Sequence, residues 1–110
     1  PDLPGAIDNL AWLLATHPDP GIRNSEEALR LASEGARLAK GANPRVLETL
    51  AAAQAAAGQF GAAAGSQRRA LELLEEKADA GRLAAARDRL LKYENGEDLL
   101  EPMPPPDDRR

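Results

Sequence analysis

Apolar positions recur along this chain at helical spacing rather than in the alternation typical of strands. Ile7, Leu10 and Leu14 fall three and four residues apart, which places them on one face of a helix. The segment 17–21 contains two prolines and a glycine, and these residues cannot continue a helical hydrogen-bond ladder. We therefore predict a first helix from about Pro4 to the start of that segment.

Capping signals predict four further helices. Asn24, followed three residues later by Glu27, resembles a capping box, and Asn43-Pro44 combines an N-cap with a proline in the first turn. Glycines at 41 and 58 mark helix ends. The predicted helices after the first cover about 25–40, 44–58, 60–74 and 80–96.

Each predicted helix has an apolar face that we expect to be buried. Gly61 and Gly65 weaken the fourth helix by up to about 1 kcal/mol each relative to alanine, so they indicate either close packing against a neighbour or a tolerated cost. Arg82, Arg89 and Lys92 are predicted to lie on the solvent face of a final helix that closes a stack. The expected buried positions are Ile7, Leu10, Ala11 and Leu14; Ala28, Leu31, Ala32, Gly35, Leu38 and Ala39; Leu47, Leu50, Ala51 and Gln54; Ala63, Ala70, Leu71 and Leu74; and Leu83, Ala86, Leu90 and Tyr93.

Composition supports an all-α chain of at most one domain. The chain has 110 residues and no cysteine, which excludes disulfides and thiolate metal sites, and Val46 is its only valine. Alanine is abundant, favours helices and allows helix axes to approach closely. We divide the chain into a helical domain over 1–95 and an acidic, proline-rich, disordered tail over 96–110. No apolar run reaches the length of a membrane span, so no membrane contact is expected from this segment.

The distribution of charge argues against a nucleic-acid binder. The net charge is −4, and most of it lies from Glu97 onward, where five acids accompany two arginines. The helical part is therefore nearly neutral, whereas nucleic-acid binding requires a basic surface. Basic residues on the last two helices are interleaved with acids, so we expect a salt-bridged surface rather than a basic patch.

A pattern that occurs twice identifies a family resemblance. The second unit is similar to a tetratricopeptide repeat, although Leu47 replaces the usual tryptophan and glutamines replace the usual aromatics at 54 and 67. The first unit matches less completely, and the period from Leu10 to Leu50 is 40 residues, against about 34 in the family. The string from Asn9 to Pro20 resembles a subtype common in bacterial multi-repeat proteins. The matching positions of the second unit are Leu47, Leu50, Ala51, Gln54, Gly58, Phe60, Ala63 and Ala70.

The resemblance implies an α-solenoid of two helix-turn-helix units plus a C-terminal capping helix. In such a stack the first helix of each pair lines a concave groove that holds an extended peptide or a partner helix. Positions opposite the expected buried stripes of the first and third helices would face this groove. They are Asp8, Asn9, Trp12, Thr16, Arg45, Glu48, Thr49 and Ala52.

Several of these residues allow two interpretations. Trp12 beside Arg45 is either an exposed anchor for a partner or a structural residue packed under the inserted turn. Asn9 and Arg45 resemble two positions of a carboxylate-binding clamp in this family, but the remaining positions lack positive charge, so we do not expect a clamp. The only histidine, His17, is expected to be a turn residue rather than a base or ligand. The prolines at 104–106 are expected to lie in a bare tail.

The sequence therefore predicts an interaction module and no enzyme. No catalytic motif or cofactor-binding motif occurs, and the expected partner is a protein or peptide. The chain begins at Pro1, and we expect it to be the C-terminal part of a larger protein with upstream repeats. The outer edge of the first helix would then be an apolar face covered by those repeats or by a second copy. Self-association, or a regulatory role beside an enzyme encoded upstream, is the alternative function; the compartment is not predicted.

Overall fold

The described part of the chain is entirely helical in its regular structure. In a computed structural model, residues 3–75 and 78–100 are described, and they form five α-helices and no β-strand. The all-α prediction is confirmed for these residues. The helices are α1 (Leu3–Thr16), α2 (Ser25–Leu38), α3 (Pro44–Ala56), α4 (Phe60–Leu74) and α5 (Ala80–Glu94).

The predicted helix starts are confirmed by their hydrogen bonds. The Asn24 side chain accepts from the backbone N–H of Glu27, and the Asn43 side chain accepts from that of Arg45 at 3.0 Å. The Asp79 side chain accepts from the N–H of Arg82 at 2.8 Å. Each of these bonds satisfies a donor of the first helical turn that has no partner within the helix.

Glycine ends α2 and α3, as predicted. Gly41 has φ 66° and Gly58 has φ 79°, and glycine adopts this left-handed conformation without steric cost. At α2, the N–H of Gly41 donates to the carbonyl of Ala36 at 3.1 Å, and at α3 the N–H of Gln59 donates to the carbonyl of Gln54 at 2.8 Å. These bonds satisfy carbonyls of the last turns and reverse the chain.

The helices pack in chain order around α3. Each helix contacts the next, and α1 also contacts α3. The core is built largely from alanine: Ala11, Ala51, Ala53, Ala55 and Ala63 have no exposed surface. Small side chains at helix contacts allow the axes to approach closely. As a result, α3 is buried on nearly all sides.

The buried face of α1 differs from the predicted one. The buried residues of α1 are Asp8, Ala11, Trp12, Ala15 and Thr16, which follow the spacing of one helical face. Leu10, predicted to be buried, is 46 % exposed, and Leu38 of α2 is also exposed. The face is rotated by about one residue because alanines, rather than leucines, occupy the close contacts of α1 with its neighbours.

Candidate functional site

Most of the predicted groove residues are buried. Of the eight predicted groove residues, only Asn9 is exposed and Arg45 is half-buried. The expectation of an open groove is therefore wrong for the other six side chains. The buried ones are Asp8, Trp12, Thr16, Glu48, Thr49 and Ala52.

One face of α5 covers part of this surface. Arg82, Ala86, Arg89 and Tyr93 are all buried, and their spacing of four, three and four residues places them on one side of the helix. The prediction that Arg82 and Arg89 lie on a solvent face is therefore wrong, whereas Lys92 is exposed as predicted. The two arginines are buried because they pair with an acid on α3.

Glu48 is the centre of a buried polar network. Its Oε1 forms an ion pair with Nη2 of Arg82, and its Oε2 accepts hydrogen bonds from Nη1 of Arg89 at 2.8 Å and from Nε2 of Gln67 at 3.1 Å. The same Gln67 nitrogen also donates to the carbonyl of Ala86 at 3.0 Å. One carboxylate thus joins α3 to α4 and α5. Such groups are tolerated in a protein interior only when they are paired and hydrogen-bonded.

Arg89 extends this network to α1. Its guanidinium carbon lies 5.6 Å from the centroid of the Trp12 ring, within the range of a cation–π interaction. Trp12 has almost no exposed surface, so it is a buried residue rather than an exposed anchor. The contact over its ring comes from Arg89 of α5, and the predicted packing under the inserted turn stays a prediction. Burial strengthens the contact, because neither the ring nor the guanidinium is fully solvated.

A second ion pair joins α1 to the first turn of α3. Nε of Arg45 lies 3.1 Å from Oδ2 of Asp8, and Nη2 of Arg45 donates to the side-chain oxygen of Asn9. These two contacts lie beside a cleft of about 340 Å³ that Leu38 and Val46 also line. Asn9 and Arg45 therefore bind each other in this structure, and Arg45 pairs with Asp8 rather than standing beside Trp12 as a free anchor.

The segment after α5 returns to the core. Residues 97–100 are non-helical, and Leu99 is only 3 % exposed and belongs to the same packed cluster as Trp12 and Tyr93. The prediction that a disordered tail begins at residue 96 is therefore wrong for its first residues, because Leu99 is anchored by apolar burial. The remainder of the predicted tail, with the prolines at 104–106, lies outside the described residues.

The outward face of α1 is apolar and uncharged. Leu10 and Leu13 are 46 % and 38 % exposed, and Ala6 and Asn9 on the same side are also exposed. The only charged residue of α1, Asp8, is buried. Among the described side chains of α1, none on this face is charged, although Asn9 accepts a hydrogen bond from the guanidinium of Arg45.

The remaining predicted polar residues form a turn contact and ion pairs at the surface. Nδ1 of His17 accepts a hydrogen bond from the backbone N–H of Asp19 at 3.0 Å, which confirms its interpretation as a turn residue. Arg68 pairs with Glu94 at 2.8 Å and Arg69 with Glu72 at 3.2 Å, as expected of a salt-bridged surface. Within the ranges 3–75 and 78–100, no group of three or more His, Cys, Asp or Glu side chains could hold a metal ion.

Comparison with known proteins adds no relative. No protein-family model, curated protein or solved structure matches this chain. Among the described helices, none is both long and apolar enough to cross a membrane.

The Glu48 network was missed at the sequence level, although a signal for it was present. Glu48 is the only charged residue between Val46 and Ala57, in a helix that is otherwise apolar on several sides. A single acid in such a helix must be paired if the helix is central. Arg82 and Arg89 share the stripe of Ala86, and this placement identifies them as the partners.

Proposed function

We propose that this chain is a helical-repeat interaction module of the tetratricopeptide type, and that it associates with a second copy through the outward face of α1. The repeat assignment is supported by the two units of matching spacing and by helices that pack in chain order, with α1 also against α3. Binding is proposed rather than catalysis because the sequence contains no catalytic motif.

The exposed pair Leu10 and Leu13 is the observation that carries this proposal. The two leucines are three residues apart and point to one side of α1. Full burial of a leucine side chain contributes roughly 1.5–3 kcal/mol relative to exposure. Since each is already about half buried, covering both would contribute on the order of 2 kcal/mol per chain, and twice that across a symmetric interface.

The outward face of α1 is better suited to bind a second copy of the chain than the predicted groove is to bind a peptide. Symmetric dimers place the same patch of each subunit in contact, so the patch must be self-complementary. The α1 face meets this condition because its exposed residues are uncharged and mostly apolar. The predicted groove does not offer an equivalent surface, since six of its eight residues are buried and Arg89 of α5 contacts both Trp12 and Glu48.

Molar mass tests the proposal directly. Light scattering behind size exclusion should give a mass that rises from 11.7 kDa toward twice that value as the concentration increases. Leu10→Asp and Leu13→Asp should keep the chain monomeric over the same range, because a charge on each face prevents its burial.

Leu91→Asp is the matched control. Leu91 is 56 % exposed but lies on α5, away from the proposed face, so this variant should associate like the unsubstituted chain. Circular dichroism should show the same helicity for the native chain and the three variants Leu10→Asp, Leu13→Asp and Leu91→Asp, since each substitution is at an exposed position. A native chain that stays at 11.7 kDa at every concentration, or an equal effect of Leu91→Asp, would contradict the proposal.

A further inference from the structure

A cleft of about 340 Å³ lies where α1, the end of α2 and the start of α3 meet. The buried Gly35 of α2 lines it, and a Cβ atom at this glycine would lie 3.8 Å from Val46 of α3 and 4.0 Å from Ile7 of α1. The three helices therefore approach closely at Gly35, beside the open volume. Pockets that hold small ligands begin at about 300 Å³, so the cleft is large enough for a small molecule.

Aliphatic side chains supply much of the lining of this cleft. Leu38 and Ala39 come from the end of α2, and Ala42 and Val46 come from the following turn and α3. Leu38 is 42 % exposed, although the sequence predicts its burial. A ligand with an aliphatic body would cover this carbon surface, and removal of apolar surface from water favours binding.

The charged residues that line the cleft neutralise each other. They are Asp8 and Arg45, and Nε of Arg45 lies 3.1 Å from Oδ2 of Asp8. Asp8 is only 4 % exposed, so its carboxylate depends on this pairing. A bound carboxylate would face Asp8, and a bound ammonium would face Arg45. The lining therefore favours a neutral ligand over an ion of either sign.

Two groups of the lining offer hydrogen-bond donors. The side-chain oxygen of Asn43 accepts from the backbone N–H groups of Arg45 and Val46 at 3.0 and 3.4 Å, which leaves its amide nitrogen for another contact. Arg45 uses Nε toward Asp8 and Nη2 toward Asn9. Within the described residues, neither Nη1 of Arg45 nor the amide nitrogen of Asn43 donates a hydrogen bond. A ligand that displaces water from such donors must accept a hydrogen bond, because a buried donor without an acceptor is costly.

We propose that this cleft binds a small neutral molecule with an aliphatic body and one carbonyl oxygen, the chemistry of an aliphatic amide or ester. The aliphatic lining holds the body, and Asn43 and Arg45 donate to the carbonyl oxygen, which accepts without bringing a charge. Neither Leu10 nor Leu13 lines the cleft. The site is therefore distinct from the pair of leucines proposed to bind a second copy, and it goes beyond the function proposed above.

Hexanamide is the probe, and methyl NMR of the unsubstituted chain is the measurement. Val46 is the only valine, so its methyl signals are identified without ambiguity. They should move saturably as hexanamide is added. Hexanoate and hexylammonium have the same chain length with a charge of either sign, and each should bind at least ten times more weakly. Absence of a saturable shift, or binding of either ion as tight as that of hexanamide, would overturn the proposal.

Asn43→Asp tests the donor. Asparagine and aspartate are equally good N-caps, so this change keeps the cap of α3 and removes the amide N–H groups. Hexanamide should bind roughly two to ten times more weakly, as expected for the loss of one hydrogen bond. Asn24→Asp is the matched control, because it makes the same change at the cap of α2, which does not line the cleft. An equal effect of the two variants on binding would contradict the role of Asn43.

Ala39→Leu tests the location of the ligand. Ala39 is the C-cap residue of α2 and lines the cleft, whereas Ala57 is the C-cap residue of α3 and does not. Ala39→Leu should abolish the saturable shift by filling the cleft, and Ala57→Leu should keep it. Native affinity in a folded Ala39→Leu variant would overturn the proposal.

Two further outcomes separate this ligand from a macromolecular one. N-acetylleucine methylamide presents the same groups on a peptide backbone, and it should bind no more tightly than hexanamide. Tighter binding would identify a peptide as the ligand and overturn a small molecule. Hexanamide should also leave the molar-mass profile unchanged. A lower mass at saturating hexanamide would show that a second copy occupies the cleft, and this result is distinct from the effect of Leu10→Asp.

Discussion

Glu48 in α3 accepts a hydrogen bond of 2.8 Å from Arg89 in α5, 41 residues further along the chain. Both side chains are buried. The contact brings a charged face of the last helix against a surface that the sequence assigns to partner binding. The pairing explains why α5 covers residues of that surface rather than presenting its arginines to solvent.

Removing the charge of Glu48 should strongly destabilise the chain. In Glu48→Gln the guanidiniums of Arg82 and Arg89 remain buried without their carboxylate, and breaking a buried pair costs about 3–5 kcal/mol. Urea unfolding followed by circular dichroism measures this change in the free energy of unfolding. Glu72→Gln, which removes an exposed pair with Arg69, should cost less than about 1 kcal/mol.

Replacing the whole network should cost less than breaking it. In the triple variant Glu48→Leu, Arg82→Met and Arg89→Met, no buried charge is left unpaired, and such replacements are often neutral or stabilising by about 1–4 kcal/mol. Its free energy of unfolding should exceed that of Glu48→Gln. If the triple variant were the less stable of the two, packing rather than charge pairing would dominate at this contact.

Trp12 should behave as a core residue. Its side chain is buried beneath Arg89, so Trp12→Ala should cost about 3–5 kcal/mol of unfolding free energy. Thermal unfolding of the two proteins measures the difference. Leu13→Ala on the exposed side of the same helix is the control and should have a much smaller effect. A loss as small as that of Leu13→Ala would contradict a structural role for Trp12.

Alanine at Gly61 or Gly65 should stabilise the chain. Both glycines lie in α4, and a Cβ atom at either position would meet nothing within 4 Å beyond the neighbouring backbone of its own helix. The glycines are therefore not needed for close packing against another helix, and their cost to α4 is tolerated. Each substitution should add about 0.5–1 kcal/mol to the free energy of unfolding.

Gly58→Ala provides the opposite control for these glycines. Gly58 also has open space around it, but its φ is 79°. Alanine in the left-handed region costs roughly 1–2 kcal/mol, so this variant should be less stable than the native chain. Chemical denaturation measures both variants. If Gly58→Ala and Gly61→Ala changed the free energy of unfolding by the same amount, backbone conformation would not decide whether alanine stabilises or destabilises the chain.

Glu34 should titrate below the ordinary range of glutamate. The hydrogen bond from Arg37 lowers the pKa of the Glu34 carboxyl, opposed by desolvation. A lowered pKa in the folded chain means that the pair contributes stability above the unfolded glutamate pKa of about 4.3 and loses it as the pH falls through the folded pKa. NMR titration should show the lowered pKa, and Arg37→Gln should raise it. Because both groups are exposed, the effect on stability should be small.

Local sequence signals predicted the helices well. Asn24 and Asn43 cap the helices they were expected to cap, and glycine ends α2 and α3. These features depend on groups within one helical turn, so their energies are set by neighbours in the chain. The apolar stripes of α4 were also predicted, because Ala63, Ala70, Leu71 and Leu74 are all buried.

The candidate site was predicted less well, because burial of a given face depends on distant partners. The sequence placed Glu48 in an open groove, left Trp12 as either a groove anchor or a structural residue, and placed Arg82 and Arg89 in solvent. A charged stripe and a groove-facing acid each indicate exposure when considered alone. Together they form a buried network in which each charge compensates the other.

By itself, the sequence determined an all-α chain, the number and ends of its five helices, and a composition suited to close helix packing. Only the tertiary structure decided which face of α1 is buried, that Glu48 pairs with two arginines of α5, and that Leu99 returns to the core. The physical reason is the separation along the chain between the residues that interact. Caps and helix stops act within a few residues, whereas these three outcomes depend on contacts between residues far apart in the chain.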